Sequence, residues 1–161
     1  MARYDLYKDI AQAGQIAQAY KRDIKTYSSN ESDTLNNADG LGLGLGVPVH
    51  MVNDTYIASG GSLDLIIGIT CFSPLLINPE VFYHYRRDQV PVLTKGRIYV
   101  RVQIGASNVN EFDIAYIDGN GKFSTRNDTS HKEIGIFLSS AKAEELVILQ
   151  FDLSTHAVGG L

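Results

Sequence analysis

Four histidines, one cysteine, one glycine-flanked serine and two close carboxylate pairs are the side chains of this 161-residue sequence from which a catalytic site would have to be built. The histidines are His50, His84, His131 and His156. No two stand four apart and no glutamate adjoins one as in H-E-x-x-H, so a helical zinc motif is absent. Spacing leaves open whether they meet across a β-sandwich. Cys71 permits neither an internal disulfide nor a cysteine cage for a metal. It follows the apolar run Leu65–Thr70 and reads as a buried structural thiol rather than a nucleophile. Ser62 follows Gly60-Gly61 but lacks the second glycine of G-x-S-x-G. Nothing in the spacing of Glu111/Asp113 and Glu144/Glu145 puts these carboxylates in one cleft. The sequence has no tryptophan to stack a sugar, as a glycosidase would normally offer.

Two loops imitate binding motifs and fail in detail. The run Gly40–Gly46, GLGLGLG, is followed by no Gly-Lys-Ser/Thr, and Leu45 falls where G-x-G-x-x-G needs its third glycine. The run leads into Val47-Pro48-Val49, which cannot open the helix of a dinucleotide site. Asp118-Gly119-Asn120-Gly121-Lys122 puts Lys122 and then Phe123 where a calcium loop requires an oxygen ligand and a glycine. Between two apolar runs it reads instead as a hairpin turn. These patterns predict no catalytic residue, no metal and no cofactor.

The elements around these residues are mostly strands. In Arg97–Ile104, Ile98, Val100, Val102 and Ile104 alternate with polar or amphipathic residues, which sends one face to a core. Further strands are predicted at 47–52, 65–70, 89–93, 112–117, 122–125, 134–138 and 146–153. Pro91 argues for an edge or a bulge in its strand. The alternating glycines of 40–46 suit a strand or loop pressed flat on another backbone. Residues 28–40 read as loop, and only 140–146, SAKAEEL, hints at a helical turn. Many short strands with turn signals and almost no helix predict an all-β, jelly-roll-like β-sandwich.

Ahead of it, residues 1–20 read as an N-terminal arm or short helix, with 21–161 the β-sandwich domain. Tyr4, Leu6, Tyr7, Ile10 and Ile16 give the arm more apolar surface than a solvated tail needs, and Gly14 interrupts its helical spacing. The arm is therefore a candidate for ordering on a partner. The segment Phe82, Tyr83, His84, Tyr85, Arg86 and Arg87 has the composition that interfaces prefer. An edge strand or a loop over the core is the alternative.

Apolar residues make up 44% and charged residues 20%, which argues against disorder. No apolar run reaches membrane-spanning length, and MARYDLYKDI lacks the apolar core of a secretory signal. A net charge of −4 excludes a general electrostatic grip on nucleic acid. That charge is segregated: residues 1–28 carry +2, 29–81 carry −6 without a single Lys or Arg, 82–102 carry +4 and 103–161 carry −4. Such faces suit docking on a charged lattice or on copies of the chain itself.

The order of several pieces carries a resemblance. They are Gly14-Gln15-Ile16-Ala17, Leu45-Gly46-Val47-Pro48-Val49, Ile67-Gly68-Ile69-Thr70, and Asp88-Gln89-Val90-Pro91-Val92-Leu93 leading into Gly96-Arg97-Ile98-Tyr99-Val100. Ile134-Gly135-Ile136-Phe137 and Leu146-Val147-Ile148-Leu149 complete the order. Across residues 14–153 it resembles the structural cement, or head-decoration, proteins of tailed bacteriophages. The resemblance implies a jelly-roll-like sandwich with an N-terminal arm and no enzymatic activity. It implies a virion protein made in the host cytoplasm that binds the outer surface of the capsid as a homo-oligomer, trimer favoured over dimer, and bridges subunits of the major capsid protein. Neither nucleic acid nor a membrane is an expected partner. The alternatives are another virion β-sandwich, such as a receptor-binding or tail protein, and a small metal-dependent jelly-roll enzyme.

Overall fold

The computed structural model describes residues 13–17, 22–28, 42–52, 56–59, 65–71, 83–85, 89–103, 105–118 and 122–153. The all-β expectation holds, with no α-helix among these residues. The strands are β1 (Asp23–Ser28), β2 (Gly42–Gly44), β3 (Pro48–Val52), β4 (Tyr56–Ser59), β5 (Ile66–Thr70), β6 (Tyr83–Tyr85), β7 (Gln89–Arg101), β8 (Ile114–Asp118), β9 (Phe123–Ser124), β10 (His131–Phe137) and β11 (Leu146–Asp152). Nine form one curled antiparallel sheet in the order β4-β3-β5-β7-β11-β10-β8-β9, with β1 also on β7. β2 and β6 form a separate two-stranded ribbon.

β7 is the hub. The runs 89–93 and 97–104, read from sequence as two strands, are joined in this single 13-residue strand. Leu93 pairs with Ile24 of β1 on one side and Ile69 of β5 on the other. Ile98 pairs with Ile16 and with Leu149 of β11. Pro91 is therefore not at an edge: Thr26 stands opposite it, and its carbonyl accepts the Cys71 N–H at 2.8 Å. A residue's N–H and C=O point to the same side of an antiparallel strand, so the missing proline N–H faces Cys71, just past the end of β5. Only one bond of that terminal pair is lost.

The alternation in β7 and β11 explains the core. Ile98, Val100 and Val102 of β7 join Val147, Leu149 and Phe151 of β11, with Ile117, Phe123 and Phe137, in the main cluster. Each such side chain contributes about 1.5–3 kcal/mol on burial. The residues between them, Tyr99, Leu146 and Ile148, point to the opposite face and are buried too, with Ala13, Ala17 and Leu138 packed on them. Both faces of β7 and β11 are thus covered, which is why Leu146-Val147-Ile148-Leu149 is continuously apolar rather than alternating. Val49, Ile57, Val90 and Val92 form a further cluster toward β3 and β4.

The residues flanking the turn expected at 118–122 pair as a hairpin requires, with residues 119–121 outside the described residues. Ile117 pairs with Phe123, and the Asp118 carboxylate accepts the Lys122 N–H at 2.9 Å. The helical hint at 140–146 is overturned. Ala141 exchanges both backbone hydrogen bonds with Val109, and Lys142 donates its N–H to the Glu145 carboxylate, so the segment is a bridge followed by a turn. Helix propensity is a weak prior against pairing with a neighbouring chain segment.

Candidate interaction surfaces

The N-terminal segment meets the body along β7. The Gly14 N–H donates to the Tyr99 carbonyl (2.8 Å), the Tyr99 N–H to the Gln15 carbonyl (2.9 Å) and the Ala17 N–H to the Arg97 carbonyl (3.0 Å). Ile16 packs against the main core, while Ala13 and Ala17 lie on the opposite face. Gly14, read from sequence as the interruption of the arm's helical spacing, is thus stitched into the sheet. Of the five arm residues singled out in the sequence, Ile16 is the one described; Tyr4, Leu6, Tyr7 and Ile10 lie outside the described residues.

The Gly-Leu run and the aromatic segment come together. β2 pairs with β6 in the register Gly42↔Tyr85, Leu43↔His84 and Gly44↔Tyr83. The glycine strand lies against another backbone, as its alternation suggested. Tyr83, His84 and Tyr85 are placed in this ribbon, whereas Phe82, Arg86 and Arg87 lie outside the described residues.

A third surface escaped the sequence reading. Phe112 is 70% exposed, Ile114 45% and Ile136 41%. Ile114 and Ile136 are direct partners across β8 and β10. A bulge places them there: Glu133 pairs with Tyr116 and Gly135 with Ala115, so Ile134 is an extra residue and Ile136 turns outward. Phe112 has a left-handed backbone, φ 70°, which is costly for a bulky residue. Its turn is firmly held. The Phe112 N–H donates to the Phe137 carbonyl (2.8 Å), the Phe137 N–H to the Asp113 carbonyl (2.9 Å) and the Asn110 N–H to the Asp113 carboxylate (2.8 Å). The Glu111 N–H also reaches the Ser140 hydroxyl at 3.3 Å. An exposed aromatic is presented here on a rigid, strained turn. Its signal in the sequence was an apolar residue next to a turn, which strand periodicity assigns to a core.

The family model described as structural cement protein (E217 gp24/Pam3 gp6) matches residues 2–152. The chain belongs to the structural cement protein family. It is also similar in fold to a chain of the solved capsid of Myoviridae Phage XM1, with 16% identity, 88% of this chain and 90% of that chain covered, and a TM-score of 0.67. No curated protein matches it.

In this cement-family chain Cys71, the Asp128–Ser130–His131 group, Asp113 and Glu145 are held in structural roles, while Nδ1 of His50 in β3 is buried without a hydrogen-bond partner. Cys71 is buried, and burial pushes its thiol up to about 12, so it is protonated at neutral pH. Asp128, Ser130 and His131 lie together, but the Asp128 carboxylate (2.5 Å) and the Ser130 hydroxyl (3.0 Å) both meet Nδ1 of His131. A nucleophilic relay needs serine and carboxylate on opposite ring nitrogens. The same Asp128 carboxylate accepts the Ser130 hydroxyl (2.6 Å) and N–H (2.9 Å) and pairs with Arg126 (2.7 Å), closing the turn into β10. The Ser130 hydrogen bonds, and then His131, hold its carboxyl well below the usual carboxylate range. Among the described residues no three His, Cys, Asp or Glu side chains group as a metal site. The pair Glu111/Asp113 sits in the Phe112 turn and Glu144/Glu145 in the turn before β11, with Asp113 and Glu145 each accepting a backbone N–H.

Proposed function

We propose that this chain binds the outer face of a phage head as a homo-oligomer and bridges neighbouring major capsid subunits, with no catalytic role. Membership of the cement family across residues 2–152 is the observation that carries the reading. A rigid sheet, with the N-terminal segment fastened along β7 and an exposed apolar turn at Phe112, suits a clamp between surfaces. The segment ahead of Ala13 is the part left to act as a strap on the shell or on a sister subunit, with Tyr4, Leu6, Tyr7 and Ile10 as its contacts. The Phe82–Arg87 segment supplies a second contact surface.

The mechanism is linkage. A protein that binds only the assembled lattice stabilises it by RT ln(1 + [L]/Kd), about 2.7 kcal/mol per site at a hundred times Kd. Repeated over a shell, modest affinity becomes resistance to internal pressure. Co-sedimentation of the purified protein with empty expanded heads tests this, together with the temperature at which decorated and bare heads rupture. Decoration that raises the rupture temperature is expected. Heads that sediment without the protein, or rupture unchanged when saturated with it, overturn the reading.

A further inference from the structure

We infer that the β3–β4 hairpin beyond His50 is a flap, which opens from the sheet as a unit ahead of the rest of the fold, with the orphaned Nδ1 of His50 as the strain that favours opening. This goes beyond the cement reading and does not depend on it. β3 is pinned at its start. The Gly46 N–H donates to the Thr70 carbonyl (2.9 Å), the Thr70 N–H to the Val47 carbonyl (3.0 Å) and the Val47 N–H to the Thr70 hydroxyl (3.1 Å). The Cys71 N–H ties the end of β5 to the Pro91 carbonyl of β7 at 2.8 Å. Pairing runs from Pro48↔Ile69 to Val49↔Gly68 and then slips: His50 pairs with Ile66, so Ile67 is an extra residue. Among the described residues no β3–β5 pair follows His50. Met51 and Val52 pair instead with Ile57 and Tyr56 of β4, which stands at the end of the sheet. The hairpin meets the body through Ile57, buried in one cluster with Val49, Val90 and Val92.

His50 works against that packing. Cross-strand partners share a face of the sheet, so His50 lies on the face of Ile66, which packs against the main core. The residue as a whole is half-buried, but its Nδ1 is shut off from solvent and has no hydrogen-bond partner. A ring nitrogen is a donor in one tautomer and an acceptor in the other, so Nδ1 goes unmet in both. A buried polar atom left this way costs the closed state its lost hydration. Opening at the bulge returns water to it, at the point where the β3–β5 ladder is already interrupted. The opposite side of the fold is built differently. β11 keeps one unbroken register with β7 from Leu146↔Arg101 to Asp152↔Lys95. Local opening draws on the loosely laddered parts of a fold and spares such strands. It would uncover Ile57 and the backbone edge of β5.

Hydrogen exchange followed amide by amide on the full chain tests the flap. After correction for intrinsic rates, the amides bonded between β3 and β4 over residues 50–52 and 56–58 should exchange about tenfold faster than those bonded between β7 and β11. His50→Leu, which puts an apolar side chain of similar size at the site, should slow the flap amides about tenfold. Ile117→Val, a small loss in the main core on β8, should speed the β7–β11 amides several-fold and leave the flap amides unchanged. Flap amides that exchange at the rate of the β7–β11 amides, or that speed up with Ile117→Val, make the sheet one cooperative unit and overturn the inference. So do flap amides that His50→Leu leaves unchanged or hastens. A His50→Leu chain that does not fold overturns it as well, because the closed state would then need the ring.

Discussion

A Cβ placed on Gly46 would stand 2.6 Å from the amide nitrogen of Gly14 and 3.1 Å from the Cβ of Ala13. The end of the Gly-Leu run is therefore pressed against the backbone of the N-terminal segment. Gly46 also has φ +67° and donates its N–H to the Thr70 carbonyl at 2.9 Å, so it cannot move aside without loosening the start of β3. Gly46→Ala adds a left-handed penalty of about 1–2 kcal/mol to this clash. The melting temperature should fall by about 2–8 °C, and the Gly14 and Ala17 amides should lose hydrogen-exchange protection. Protection that survives the substitution would mean that Gly46 does not hold the seam.

The strands that alternate, or are apolar throughout, were legible in the sequence. β5, β8 and β11 fall close to where periodicity put them, the runs 89–93 and 97–104 merge into β7, and β10 begins three residues ahead of the predicted 134–138. β1 was not legible, because Asp23–Ser28 is polar and largely exposed; its place is set by backbone pairing with β7, which leaves little trace in composition. The pairing of β2 with β6 was half legible: the glycine alternation announced a flat contact, and nothing announced its partner. The Phe112 surface was hidden because a one-residue bulge at Ile134 reverses which side chains face inward, and Ile-Gly-Ile-Phe reads as core either way.

Acid should act through the Asp128 turn. Its carboxyl is held below the ordinary range by Ser130 and His131, so the folded state favours the ionised form. Stability from this group is fully present above the ordinary aspartate value of about 3.9 and is lost as pH falls through the lowered value. Asp128→Asn should melt below the parent at neutral pH. That gap should narrow from about pH 4 down to about pH 2. Melting curves of the two proteins across that range check this, and a constant gap would assign the loss to packing instead of charge.

Attachment to heads should slow as salt rises, since exposed charges are screened within about 8 Å at physiological ionic strength. The basic residues of the +4 segment should not contribute equally. Lys95 lies 3.6 Å from Asp152, Arg97 donates to Gln150 at 2.8 Å, and Arg101 donates to the Glu144 carbonyl at 2.7 Å. Lys95→Ala removes a charge that Asp152 already offsets and should therefore slow association only slightly. Rates measured over a salt series on immobilised heads decide it. A rate indifferent to salt removes electrostatic steering and leaves the cement role untouched.

The position of residues 13–17 in the sheet divides the N-terminal segment into two parts with different uses. Removing residues 2–12 spares the bonds of Gly14, Gln15 and Ala17 to β7 and the packing of Ile16 on the core. Removing residues 2–17 deletes three backbone hydrogen bonds, at about 0.5–1.5 kcal/mol each, and the packing of Ile16, worth up to about 1.5–3 kcal/mol. It also uncovers Tyr99 and Ile148, which Ala13 and Ala17 help to cover. The longer deletion should therefore lower the melting temperature by several degrees, while the shorter one leaves it near the parent value. If the segment ahead of Ala13 is the strap, the shorter deletion should nevertheless abolish the protection of heads against heat. Ordering a flexible segment costs about 1–2 kcal/mol per residue, so only contacts as dense as Tyr4, Leu6, Tyr7 and Ile10 can offset it. Thermal melts of both truncations beside a head-rupture assay separate the two parts. A short deletion that protects heads at full strength rejects the strap, and one that melts far below the parent gives residues 2–12 a place in the fold instead.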